Sequence, residues 1–242
     1  MTAIYNTCTH NYIFILLLYC LLGPPVNFKC LIWDTPCLNG KALAVSTFIA
    51  TAIPQLGTKA LDTIFIDSVY INEDGLKFSM INTYVQGMKD VIIDNVSIDT
   101  ASRVVRLLFH TNFKVTTSYK TDGYLLSMPI YGEGISTTRL TNVLIDMAIP
   151  FDIVKDAQGR DFMDLKNYQY VYDVIGGAQY YLDNLYNGDE QLSKTMHEAL
   201  NQNWKCLTIK YGKYFFDKVN DKVFNSLRSH MLSKPLDAIV SY

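Results

Sequence analysis

The sequence has few of the residues and motifs that enzymes use. Its 242 residues include only four histidines, which are scattered widely, and no Gly-x-Ser-x-Gly turn of the kind that presents a serine nucleophile. Gly134-Ile135-Ser136 lacks the closing glycine, and the pattern shows no acidic partner for His110 or His197. We therefore expect no catalytic residues and no enzymatic activity. A secreted esterase is the less favoured alternative.

Clustered charge and metal ligands are also lacking. Lysine and arginine total 21 against 23 acidic residues, with no long run of either sign, so nucleic acid is not an expected partner. No histidine or cysteine pair has zinc-ligand spacing. A group of four aspartates misses the spacing of a calcium loop and is predicted to lie at a solvated hairpin end: Asp152, Asp156, Asp161 and Asp164. We expect neither a metal nor a cofactor.

A single long apolar run occurs, and it lies near the N-terminus. Tyr12–Leu22 is too short for a comfortable membrane span and is followed by Gly23-Pro24-Pro25. This pattern predicts a signal peptide over 1–23, although residues 2–11 contain no lysine or arginine; a buried N-terminal helix is the alternative. We expect residues 24–242 to form one secreted domain that does not insert stably into a membrane.

Three cysteines remain after the predicted signal peptide. Cys30 and Cys37 are separated by six residues, and disulfides persist in secreted proteins, but spacing alone leaves their pairing open. Cys206 is either a buried, inert thiol or a handle for an intermolecular bond. We favour the buried interpretation because its neighbours are apolar and helical in pattern.

The central part of the chain alternates with the period of β-strands. A helix is predicted over Leu38–Ile53, ended by Pro54. One predicted strand, YLLSMPIY, leads into a turn at Gly132-Glu133-Gly134, and because Pro129 cannot donate a ladder hydrogen bond, that strand should be an edge or carry a bulge. About seven antiparallel strands are predicted, over 64–71, 76–87, 90–99, 103–115, 124–131, 136–149 and 161–174.

The C-terminal third changes to a helical period. From Asp189 onward, apolar residues recur every three or four positions for about forty residues, which predicts one amphipathic helix. Gly212 lies inside this helix and is a candidate position for a kink. So long an apolar stripe needs a large partner surface, and a strongly curved sheet wrapped around the helix would provide it.

Several motifs, in order along the chain, resemble those of the insect juvenile-hormone-binding and Takeout-like proteins. The family's middle strand pair has counterparts in Leu126, Pro129-Ile130, Gly132, Gly134 and Leu140-Thr141-Asn142-Val143. Further similar elements are Leu61-Asp62 (with Thr63 where the family usually has proline), Gly87-Met88, Asn184-Leu185-Tyr186-Asn187-Gly188 and Leu200-Asn201-Gln202-Asn203-Trp204. Each motif is weak alone, but together they cover nearly all of the predicted mature chain.

The resemblance implies an α+β fold. A long C-terminal α-helix is wrapped by a strongly curved antiparallel β-sheet, a super-roll of the TULIP type related in shape to the lipid-binding halves of bactericidal permeability-increasing proteins. It encloses an elongated apolar tunnel. The resemblance also implies a disulfide between Cys30 and Cys37 near the mature N-terminus.

The function implied is that of a secreted carrier in haemolymph or a similar fluid. It would bind a small hydrophobic ligand such as a juvenile-hormone-like terpenoid, a fatty acid or a quinone. Tyrosine and phenylalanine, 17 and 12 in number, suit such a tunnel because they provide apolar area and hydroxyl groups. The predicted lining residues are Phe65, Phe109, Tyr124, Met128, Tyr131, Phe151, Trp204 and Phe215.

Some alternatives stay open. True hormone carriers of the family have a second disulfide to the C-terminal helix, and Cys206 has no partner for one, which favours the Takeout-like branch. An extracellular protein–protein interaction module with a filled core is the alternative function. We expect a monomer, predict no particular receptor, and identify Asn95-Val96-Ser97 as a glycosylation sequon with Asn95 as the acceptor.

Overall fold

The computed structural model describes the backbone of residues 29–50 and 63–241, and the side chains of these residues except 45–50. The predicted signal peptide and the predicted helix end at Pro54 lie outside the described residues. The first described elements are β1 (Cys30–Leu31) and α1 (Thr35–Ala50), and the C-terminal elements are α2 (Glu190–Gln202), α3 (Trp204–Leu232), α4 (Leu236–Ile239) and β9 (Val240–Ser241).

Between these elements, seven described strands form one antiparallel sheet. They are β2 (Thr63–Glu73), β3 (Leu76–Gln86), β4 (Ile92–Asp99), β5 (Val104–Leu125), β6 (Met128–Lys155), β7 (Asp161–Leu165) and β8 (Gln169–Leu182). The long strand β5 pairs along its whole length with β6, from Val104 opposite Pro150 to Leu125 opposite Met128. The outer edge of β5 pairs with β3 toward the β5–β6 hairpin and with β4 at the other end. The outer edge of β6 pairs with β8 and, further along the strand, with β7. The sheet thus has one half near the hairpin and one near β4 and β7, and both long strands run through both halves.

The sheet bends where the long strands carry bulges. The register between β5 and β6 shifts at Asn112 and Asn142, and that between β6 and β8 shifts at Asn142 and Gly176. Asn142 has a positive φ of 50°, and its backbone N–H donates to Oδ1 of Asn112 at 2.7 Å. Bulges add local twist and bend a strand. Their alignment across neighbouring strands curves the sheet around the C-terminal helices.

The hairpin between β5 and β6 corrects the predicted turn. The chain reverses at Leu126-Ser127, where both residues have positive φ values of 51° and 63°. Gly132 and Gly134 lie inside β6 instead. They allow the chain after β8 to pass close by, because a Cβ on Gly134 would stand 1.9 Å from Oδ1 of Asp183.

The remaining strand predictions need smaller corrections. Tyr124–Tyr131 is split by the hairpin, β5 continues through 116–123, and the predicted strand 161–174 is two strands, β7 and β8. The expectation for Pro129 is confirmed: it pairs with Tyr124 of β5, while the pairing of β6 with β8 begins only at Ser136.

The C-terminal helix is broken at Asn203 and not at Gly212. Asn203 has a non-helical φ and ψ of −101° and 19°, and both its backbone N–H and its side-chain Nδ2 donate to the carbonyl of Ala199, which ends α2. Gly212 lies within α3 and packs against β8. A Cβ at this position would stand 2.7 Å from Oη of Tyr172.

The disulfide is confirmed, and it lies where the two ends of the described chain meet. Cys30 and Cys37 are bonded, with their Cα atoms 5.6 Å apart. Cys30 also pairs in parallel with Val240 of β9. Cys206 is exposed on α3, so the expectation of a buried thiol was wrong. The neighbouring Leu207 and Thr208 take the inner face of the helix.

The replacement Gly212→Ala should destabilise the protein by about 1–2 kcal/mol, because the added methyl group must displace the partly buried Tyr172, whose hydroxyl is bonded to α3. Helix propensity alone favours alanine by about 1 kcal/mol. Gly40→Ala is the control, since nothing lies within 4 Å of its added Cβ in α1, and it should be neutral or stabilising. Urea unfolding of both variants measures the difference. A Gly212→Ala protein as stable as Gly40→Ala would contradict this packing.

Removal of the disulfide by Cys30→Ser with Cys37→Ser should lower the free energy of unfolding by about 2–3 kcal/mol, as expected for a short loop. Cys206→Ser is the matched control and should change it by less than about 0.5 kcal/mol, because that thiol is exposed and unbonded. Equal unfolding curves for wild type and the double variant would show that the disulfide does not stabilise the fold.

Candidate ligand-binding cavity

The hydrophobic core of the described chain consists of two clusters. The larger contains Phe109, Met147 and Val219 and fills the part of the sheet near β4 and β7. The smaller lies toward the β5–β6 hairpin and contains Leu125 and Ile130. A cavity of about 150 Å³ is lined by residues of both clusters and therefore lies where they meet. An apolar cavity of such a volume is able to stay dry and hold a small hydrocarbon.

The walls of the cavity come from the concave face of the sheet and from the C-terminal helices. α3 contributes a run from Leu207 to Phe216, and α2 contributes Leu200. The apolar side chains from the sheet are Val69, Ile71, Leu76, Phe78, Met80, Val115, Leu125, Ile130, Leu140 and Leu182. In each strand the inward residues alternate with outward ones, which is the pattern of a sheet that is packed on one face.

Hydroxyl groups supply the polar part of the lining, and among the described residues no charged side chain contributes to it. The five hydroxyl-bearing residues are Ser136, Thr138, Tyr180, Thr208 and Tyr211. Burial raises the pKa of Tyr180, so this phenol is a neutral hydrogen-bond donor and acceptor at physiological pH. The site is therefore suited to an uncharged, mostly apolar molecule that carries one or two oxygen atoms.

On one side, the cavity is closed by direct hydrogen bonds between β8 and the helices. Asn201 of α2 accepts from the backbone N–H of Tyr180 at 2.7 Å and donates to its carbonyl at 3.2 Å. Nε2 of His197 accepts from the N–H of Leu182 at 2.9 Å. Oη of Tyr172 donates to the carbonyl of Thr208 at 2.9 Å. The bonds to Tyr180 and Leu182 satisfy backbone groups at the free edge of β8. The bond from Tyr172 joins a side chain of β8 to α3.

On the opposite side, the contacts are exposed and charged. Lys210 of α3 forms an ion pair with Asp74 in the turn between β2 and β3. Oη of Tyr214 donates to Oε2 of Glu73 at 3.2 Å. Ion pairs at the surface contribute little to stability, typically about 0–1 kcal/mol. The β2–β3 side is thus the more weakly closed side of the cavity.

Of the eight lining residues predicted from sequence, Phe215 lines the cavity. Phe109 and Phe151 are fully buried in the larger cluster, and Trp204 packs partly buried against it. These three residues pack with the larger cluster and do not belong to the lining of the cavity.

The other predicted lining residues lie nearer the hairpin or on the outer face. Met128 packs partly buried against the smaller cluster. Phe65, Tyr124 and Tyr131 are exposed by 38%, 61% and 41%, because their neighbours in each strand take the inner face. Sequence reasoning missed Ser136, Thr138, Tyr180 and Leu182; the last two lie beyond the predicted end of their strand.

Asn95 is partly buried on β4, beside the segment where Asn39 of α1 bonds the strand edge at Asp94 and Val96. Its glycosylation stays a prediction. Within the described ranges, no cluster of ligating side chains could hold a metal ion, and no helix is long and apolar enough to cross a membrane. The four aspartates pair with Arg103, Lys155, Arg160, Lys166 and Arg228.

Comparison with known proteins agrees with this architecture. Residues 14–241 match the family model described as haemolymph juvenile hormone binding protein (JHBP). The crystal structure of Epiphyas postvittana Takeout 1 superposes with a TM-score of 0.86 and 29% identity, covering 88% of this chain and 99% of that one. The expected fold, a long C-terminal helix wrapped by a curved antiparallel sheet, is confirmed.

Two fruit-fly proteins are also similar in sequence, and each is described as circadian clock-controlled protein daywake. The Drosophila melanogaster protein is 25% identical over 196 residues, which is 75% of this chain and 74% of that one. The Drosophila yakuba protein is 24% identical over 220 residues, or 85% and 82% of the two chains.

The cavity should admit an uncharged apolar fluorescent reporter such as N-phenyl-1-naphthylamine, and Leu207→Trp should weaken its binding at least about tenfold by filling the space. Ile209→Trp is the matched control, because Ile209 lies two residues away on α3 and is 68% exposed. Fluorescence titration measures both. Equal weakening in the two variants, or none in either, would place the reporter outside the cavity.

Proposed function

The chain belongs to the haemolymph juvenile hormone binding protein (JHBP) family, and from that premise we propose that it is a secreted carrier of a small hydrophobic ligand. The observation that carries the proposal is the cavity between the two core clusters, which the described part of the chain lines with apolar walls, five hydroxyl-bearing residues and no charged side chain. The ligand would bind without covalent attachment. Burial of its apolar surface would contribute about 25 cal/mol per Å² to affinity.

The composition of the lining favours an uncharged ligand. Among the terpenoid ester, quinone and fatty acid that suit an apolar tunnel, the ionised fatty acid would bring a carboxylate into a space where the described lining offers no cationic partner. Burial of an unpaired charge is far more costly than burial of an ester or ketone oxygen. We therefore place a juvenile-hormone-like terpenoid ester, or another neutral lipid with few oxygens, ahead of a fatty acid.

Two further parts of the proposal concern where the protein acts and to which branch of the family it belongs. The Cys30–Cys37 disulfide supports secretion, since such bonds persist outside the reducing cytosol. Cys206 is free and exposed, so it provides no second disulfide to the C-terminal helix. This supports a Takeout-like protein over a dedicated hormone carrier. We propose a monomer that carries its ligand through haemolymph or a similar fluid, with Phe215 among the contacts.

Native mass spectrometry of protein secreted from insect cells, followed by titration, tests the carrier function. We expect a stoichiometric apolar adduct that added methyl farnesoate, an uncharged terpenoid ester, displaces more readily than palmitate does at neutral pH. Preference for palmitate would overturn the assignment of a neutral ligand. A protein without adduct that binds neither compound would refute the carrier function and leave a filled interaction module as the better explanation.

A further inference from the structure

One buried polar side chain on α3 has no role in the cavity described above. Asn220 is fully buried at 0% exposure, and neither its Oδ1 nor its Nδ2 has a hydrogen-bond partner among the residues that the structure describes. The surrounding inner face of the helix is apolar and includes Phe216, Val219, Val223 and Phe224. An amide buried without partners destabilises a fold, and nearly all such groups in proteins bond to something. Asn220 therefore requires a partner that the described part of the chain does not supply.

The position of Asn220 relates it to the cavity. It follows Phe216 by four residues, which places the two side chains on the same face of α3, about 6 Å apart along the axis. Phe216 lines the cavity and is 1% exposed. Its ring packs against Tyr172 at 4.2 Å and Phe215 at 5.2 Å between ring centroids. Phe216 is thus the last residue of α3 that lines the cavity, and Asn220 lies one helical turn beyond it.

We propose that Asn220 is the polar end of the ligand-binding site. The oxygen-bearing end of an uncharged, elongated ligand passes Phe216, whose ring turns aside, and accepts a hydrogen bond from Nδ2 of Asn220. The inference rests on the proposed carrier function and specifies the ligand further. Asn220 follows Leu207 by thirteen residues on α3, so a ligand that spans both extends about 20 Å along the helix.

An amide suits this role better than a charged group would. It donates through Nδ2 to an ester or ketone oxygen and accepts through Oδ1 from a hydroxyl group, without bringing charge into the core. Because the rest of the surrounding face is apolar, a ligand oxygen placed at Asn220 has no competing partner nearby on the helix. This would fix the direction in which the ligand lies.

The test compares Asn220→Leu, which keeps the shape and removes both polar atoms, with Asn225→Leu, an exposed asparagine on the same helix. The probes are methyl farnesoate and farnesene, a hydrocarbon of related skeleton without oxygen, and both displace a fluorescent reporter. We expect Asn220→Leu to raise the Kd of the ester about tenfold and that of farnesene by less than about twofold. Asn225→Leu should change neither.

Equal weakening of ester and hydrocarbon would show an effect of shape and overturn the role of Asn220, as would unchanged binding of both. Failure of the wild-type protein to bind either probe would instead refute the carrier function. A measurement on wild type does not depend on how the variant folds: the side-chain amide NMR signals of Asn220 should shift with the ester and not with farnesene. Signals that stay unchanged with bound ester would indicate that Asn220 bonds to buried water.

Discussion

The sheet encloses the C-terminal helices because it bends where Asn112 of β5, Asn142 of β6 and Gly176 of β8 interrupt the regular ladder. A flat sheet would contact α3 along one narrow stripe, whereas a bent one surrounds it from β2 to β8. Since β5 and β6 run through the bend without a break, the two halves of the sheet are held in a fixed relation. The cavity lies where the two hydrophobic clusters that pack against the sheet meet.

A sheet that curves around a helix has edge strands, and the backbone N–H and C=O groups along those edges need hydrogen-bond partners. Here side-chain amides from the helices provide them: Asn39 of α1 bonds the edge of β4 at 2.6 Å and 3.3 Å, and Asn201 of α2 bonds the edge of β8. Unpaired edges otherwise invite pairing with another chain. The same bonds fix the helices against the sheet, so the edges and the cavity wall are positioned by one set of contacts.

Much of this architecture could be predicted from the sequence, because period-2 and period-3.6 patterns report which residues face a core. The long helical stripe is one example. The edge position of Pro129 followed from its missing N–H, and the disulfide between Cys30 and Cys37 was implied by the family resemblance. Local patterns were misleading where a residue is small because a segment distant in sequence packs against it. Gly132 and Gly134 resemble a turn, yet Gly134 makes room for Asp183, and Gly212 makes room for Tyr172.

The lining of the cavity was harder to predict for a related reason. Aromatic residues were expected to line it, but whether an inward residue meets a cavity or a filled core depends on which half of the bent sheet it occupies. Phe109 and Val115 both face inward from β5, yet only Val115 lines the cavity. Ser136 and Thr138 carry no hydrophobic signal. Only the register of β6 with β5 and β8 places them there.

The parallel pairing of Cys30 with Val240 has a consequence for how the molecule is made. Nearly the whole chain lies between these residues, so this contact has one of the highest possible contact orders, and contacts of that kind form late. The closing pair is absent until the segment around Val240 has been synthesised. The disulfide to Cys37, in contrast, spans only seven positions and becomes available as soon as its own segment emerges. The segment around Cys30 is thus constrained early by its disulfide and pairs with β9 late.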